Sequence, residues 1–70
     1  MAFIIKKKGK YFELVENKRI NGIHKRILLY YMGTKLIIPS SILEKFKISD
    51  DNLARLKLKY QYLTITNDKI

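Results

Sequence analysis

Cations and aromatic rings dominate the side chains that could do chemistry. Fifteen Lys and Arg stand against six Asp and Glu, with one His, five Tyr and no Cys. General acid and base catalysis needs paired titratable groups in a sheltered place. The acids Glu13, Glu16, Glu44, Asp50, Asp51 and Asp68 are instead scattered among lysines. No catalytic constellation is legible, and the sequence argues against an enzyme. A lone His24 and the absence of cysteine leave no set of nitrogen or thiolate ligands for a metal. Gly9, Gly22 and Gly33 are isolated, so no glycine-rich loop cradles a phosphate and no cofactor is expected.

What cations and rings do well together is hold a polyanion. Lys and Arg displace counterions from phosphates, while flat or amide side chains approach bases and sugars. The candidates are Lys6, Lys8, Arg19, His24, Lys25 and Arg26 for phosphate or guanine contacts. Asn17 is the candidate adenine partner, and Tyr11 and Tyr30 would pack on sugars or exposed bases. The formal net charge of +9 is unevenly spread: residues 1–35 hold nine Lys or Arg and two Glu, residues 36–70 six and four. Such a field concentrates polyanions at one part of a small protein. Double-stranded DNA is the expected partner, in a chromatin-associated or regulatory role, and RNA is the alternative. A surface for an acidic protein partner, or a basic coat that serves solubility, would show the same charge. Arg55, Lys57 and Lys59 form a smaller cluster that reads first as a solvated face.

These residues must be positioned by a single small domain. Residues 3–8, 11–19 and 23–32 are rich in Ile, Val, Tyr and Phe and are separated by turn signals near Gly9 and at Asn21-Gly22. The pattern predicts an antiparallel three-stranded meander over residues 1–35. With Asn21-Gly22 as a two-residue turn, Ile20 opposes Ile23, Glu16 opposes Ile27, Leu14 opposes Leu29 and Phe12 opposes Tyr31. One face then collects Phe3, Ile5, Phe12, Leu14, Ile27, Leu29 and Tyr31 as the core side. The other collects Ile4, Lys6, Lys8, Tyr11, Glu13, Val15, Asn17, Arg19, His24, Arg26, Leu28, Tyr30 and Met32. Its apolar members serve equally well as a second packing surface against the C-terminal segment or another subunit.

Residues 36–70 supply a helical layer. Residues 36–39 are extended, and Ser40 or Ser41 can cap a helix through Phe46 or Lys47 with Ile42, Leu43 and Phe46 as its apolar stripe. Ser49-Asp50-Asp51 begins a second helix, from 50 to about 57. Residues 57–66 fit helix or strand, and a strand over 60–66 is preferred. The fold class is therefore α+β, a three-stranded antiparallel meander packed on one or two short helices, with a C-terminal strand as the open element.

Two stretches resemble known DNA-binding families. Residues 11–16 (Tyr-Phe-Glu-Leu-Val-Glu), Arg19, Asn21-Gly22, Lys25-Arg26 and Leu28-Leu29-Tyr30-Tyr31-Met32-Gly33 resemble the small N-terminal module of prokaryotic insertion-sequence transposases, with Met32 where Leu is usual. That resemblance covers about a third of the chain and implies a DNA-contacting accessory domain without the nuclease. Lys35-Leu36-Ile37-Ile38-Pro39, Ile42, Phe46 and Ile48 are similar to the Ile-Pro strand and helix of AbrB-like swapped-hairpin DNA-binding proteins. This second resemblance implies interleaved dimers and a basic DNA surface. It departs from the family at Lys47, where a Gly is usual, and at Asp51-Asn52, where the family has Gly-Asp.

No apolar run approaches the roughly 20 residues of a membrane span, so no membrane partner is expected and the location expected is cytoplasmic, with the nucleoid. A chain of 70 residues buries only roughly 60% of its unfolded surface, which favours a homodimer as an added source of stability.

Overall fold

Two left-handed turns fold the first half of the chain into a meander. In the computed structural model, which describes residues 1–67, Lys8 and Gly9 (φ 53° and 70°) join β1 (Ala2–Lys7) to β2 (Tyr11–Ile20). Asn21 and Gly22 (φ 51° and 80°) join β2 to β3 (Ile23–Gly33). A type I′ turn demands positive φ at both central residues, which Asn-Gly supplies at little cost. The sheet has the order β1-β2-β3 and is antiparallel throughout.

The second half is β4 (Ile37–Pro39), α1 (Ser40–Lys45), α2 (Asp50–Lys59) and β5 (Thr64–Thr66). With the meander this is the expected α+β arrangement. The C-terminal strand is present but shorter than residues 60–66, because a turn closed by the Leu63 N–H donating to the Tyr60 carbonyl (3.0 Å) takes up its first part. It pairs in parallel with β4, Ile38 opposite Ile65, and the two helices form the crossover that a parallel pair requires. The first helix does not use a serine cap: Pro39 (φ −65°) stands at the cap position and Ser40 is already helical. The second does, with Ser49 Oγ accepting from the Asn52 N–H at 3.1 Å.

Register corrects the allotment of faces. The first hairpin sets Lys7 opposite Tyr11, hence Ile4 opposite Leu14 and Phe3 opposite Val15. Ala2, Ile4 and Lys6 therefore share the Leu14 side, and Phe3 and Ile5 lie on the outer side, the reverse of the sequence expectation. In the second hairpin the expected pairing holds from Ile20 with Ile23 to Val15 with Leu28. Beyond that pair come two irregularities, so that Leu14 meets Tyr30, Glu13 meets Tyr31 and Phe12 meets Gly33. Each extra residue in β3 shifts the alternation of the residues beyond it. Tyr30 and Met32, expected outside, pack against the core, while Tyr31, expected inside, lies on the outer side and is half exposed.

The core lies between the sheet and the helices and is built on Ala2, Ile4, Leu14, Ile38, Leu56 and Leu63. One polar side chain is buried with them. Asn52 Oδ1 accepts from the Ala2 N–H (2.9 Å) and its Nδ2 donates to the Ala2 carbonyl (2.9 Å). Asn52, Leu56 and Tyr60 recur at four-residue intervals, one stripe of α2, and the Tyr60 hydroxyl donates to the Ile4 carbonyl at 3.4 Å. This stripe lays α2 along β1, the outermost strand.

The first helix ends in a Schellman motif, the Ile48 N–H donating to the Leu43 carbonyl (2.9 Å) and the Lys47 N–H to that of Glu44 (3.1 Å). Its left-handed position is Lys47 (φ 53°), where a Cβ is strained. Lys47→Gly is expected to gain about 0.5–1 kcal/mol, measured as a rise of a few degrees in Tm. A fall in Tm would show that the lysine side chain stabilises the turn by more than its backbone strain costs.

Candidate nucleic-acid interface

The register that mates β1 with β2 also ends that pairing early. Ala2 opposite Glu16 is the last pair of the first hairpin, whereas β2 and β3 continue to Ile20 and Ile23. Residues 17–26 thus form a two-stranded ribbon, with no third strand, that runs about 13 Å beyond the three-stranded part at the usual rise per residue. Every residue of it is exposed.

The ribbon carries Lys18, Arg19, Lys25, Arg26 and His24, and no acidic residue. Pairing sorts these onto two sides. Asn17 opposite Arg26 and Arg19 opposite His24 continue the outer side of the sheet; Lys18 opposite Lys25 and Ile20 opposite Ile23 continue the helix side. Two ion pairs are formed by carboxylates of the sheet, Lys7 with Glu13 at 3.2 Å and Lys18 with Glu16 at 4.0 Å. Arg19, His24, Lys25 and Arg26 have no carboxylate partner among the described residues. Their charge is directed to solvent, where it is available to an anion.

Behind the ribbon the outer side becomes apolar and aromatic. Val15 is 1% exposed even though it faces away from the helices, because Phe3 and Leu28 flank it on the neighbouring strands. Arg26 lies over the Phe3 ring, its Cζ 5.6 Å from the centroid, so the guanidinium is held at the junction of ribbon and sheet. Farther along, the rings of Tyr11 and Tyr31 lie 6.3 Å apart at 39°, with Lys10 Nζ 5.1 Å from the Tyr11 centroid. The outer side is thus a strip with guanidinium groups at one end and a tyrosine pair at the other.

The structure brings together Asn17, Arg19, His24 and Arg26 on one face, with Lys25 on the reverse of the same ribbon. Tyr11 shares their side at the opposite end of β2, about 20–30 Å along the strand. Three candidates are placed elsewhere. Lys6 lies on the helix side with its Nζ 5.6 Å from the Phe12 centroid. Lys8 is in the β1–β2 turn, at the far end from the ribbon. Tyr30 is turned into the core by the irregular pairing of β3. Tyr31, Phe3 and Lys10 take places on the strip that sequence reasoning did not give them. Only the charge of Lys10 could have been read locally, since the faces of Phe3 and Tyr31 depend on register.

Among the described residues there is no pocket, no group of three His, Cys, Asp or Glu able to hold a metal, and no helix long and apolar enough to cross a membrane. No protein-family model, curated protein or solved structure matches the chain.

Proposed function

We propose that the protein binds double-stranded DNA through the ribbon of residues 17–26, in a chromatin-associated or regulatory role. The observation that carries this reading is the arm itself: two strands, wholly exposed, with four Lys or Arg and no acid, projecting beyond the body of the domain. A two-stranded ribbon is an element that grooves of duplex DNA admit, and its cations fall where phosphates flank it. Arg19, Lys25 and Arg26 neutralise phosphates, and Lys18 joins them once DNA competes with Glu16 for its ammonium. Asn17 and His24 are within the same footprint and suit base edges or sugars.

Titrating a fluorescent mixed-sequence duplex at several salt concentrations tests this. Four phosphate contacts give a slope of log K on log salt of about −3.6. A slope shallower than about −1, or no binding at low salt, would remove the ribbon from consideration. The tyrosine pair Tyr11–Tyr31 supports the competing reading, single-stranded RNA, since exposed rings stack on unpaired bases. Single-stranded RNA that displaces the duplex at equal or lower concentration would decide for it.

A further inference from the structure

The ribbon ends in something its charge does not explain. Directly at the Asn21-Gly22 turn, Ile20 and Ile23 face one another across the strands and are 43% and 60% exposed. They are the only large apolar side chains of residues 17–26. No part of the core cluster reaches them, and β1 stops a full ribbon length behind. Two β-branched side chains side by side make a blunt, dry tip.

Their surroundings define what could cover them. Lys18 and Lys25 lie two residues behind on the same side, and Arg19 and His24 are next to them on the reverse. An apolar tip ringed by cations is matched by a surface that is apolar within and anionic around its rim. A base-pair step of duplex DNA has that composition, with stacked bases between two phosphate chains. The undeformed minor groove, about 6 Å wide, is too narrow for two strands roughly 4.8 Å apart with their side chains. Apolar wedges that enter between base pairs resolve such a mismatch, because unstacking a step kinks the duplex by roughly 20–90°.

We infer that Ile20 and Ile23 form a wedge that inserts at a base step and bends the DNA the ribbon binds. The inference rests on the DNA reading above and adds a deformation to it. It assigns the cations to affinity and the isoleucines to shape.

Ile20→Thr/Ile23→Thr is the informative variant, since threonine keeps β-branching and strand propensity while replacing a hydrocarbon surface with a hydroxyl. The measurement is energy transfer between dyes at the two ends of a mixed-sequence duplex of about 30 base pairs, recorded with the salt dependence of binding. Wild-type protein is expected to raise the transfer on binding. The variant is expected to keep the wild-type salt slope, which shows the arm intact, and to lose most of the rise. A wild type that binds with a steep salt slope and leaves the transfer unchanged overturns the wedge and leaves DNA binding standing. So does a variant that bends DNA as well as wild type. Absence of salt-dependent binding by the wild type overturns the DNA reading and the wedge together.

Discussion

Replacing Arg19 and Arg26 together with alanine is expected to weaken binding to a mixed-sequence duplex about a hundredfold at roughly 0.1 M salt and to reduce the salt slope by about two units. At that concentration each counterion that is no longer released costs nearly a factor of ten. Both guanidinium groups are exposed, share the outer side of the ribbon and have no carboxylate partner among the described residues. Folding should be little affected, because surface substitutions away from the core stay within about 0.5 kcal/mol. The two positions are not equivalent. Arg26 is steadied over the Phe3 ring, so less of its freedom is lost on binding. Arg26→Ala alone should accordingly lose more affinity than Arg19→Ala alone, with the same change in slope. A double variant that binds like wild type would show that the ribbon is not the contact surface.

Asn52→Ala is expected to cost about 2–4 kcal/mol of folding stability, measured by urea unfolding. The side chain satisfies both backbone groups of Ala2, a residue only 3% exposed, and truncation leaves an N–H and a carbonyl without those partners. Each such group costs about 1–3 kcal/mol when water cannot reach it, and partial entry of water into the vacated space sets the lower end. For 70 residues a total of about 4–10 kcal/mol is usual, so the loss takes a large share. Asn52→Leu should be no better, since a shape-filling side chain leaves the same two groups unpaired. A loss below about 1 kcal/mol would mean that the pairing is replaced by solvent and that α2 is held by Leu56 and Tyr60 alone.

What could be read in the sequence was what is decided locally. Asn21-Gly22 announces its turn because the conformation it must adopt is one that few residue pairs tolerate. Ser49 before two aspartates announces a helix start for the same kind of reason. Three strands, two helices and the cationic hairpin could be read from such signals. Faces could not, and the cause lies in particular residues. Residues 27–32 are Ile-Leu-Leu-Tyr-Tyr-Met, apolar or aromatic without a break, so no alternation marks where β3 slips against β2. Tyr30 and Tyr31 exchange sides on that slip. In β1 the placement of Phe3 and Ile4 depends on which residue of β2 lies opposite Lys7, a property of the turn rather than of the strand. The reach of the ribbon depends on the same register, because it is set by where β1 ceases to cover β2. The role of Asn52 was hidden for another reason: its partner is 50 residues away, and its type is ordinary for a helix start.

The placement of α2 also bears on how the molecule behaves in a crowded solution. The outermost strand of a sheet exposes a row of unpaired N–H and carbonyl groups, a template on which a strand from another molecule can add. On β1 that row is occupied by Asn52 at Ala2 and by Tyr60 at Ile4. On β3, the other outermost strand, two irregularities distort the row and Lys25 and Arg26 charge it, both devices that discourage addition. A helix that serves as a packing element is thus also a guard against aggregation, and a chain in which α2 has come loose would be prone to stick to its own kind through β1.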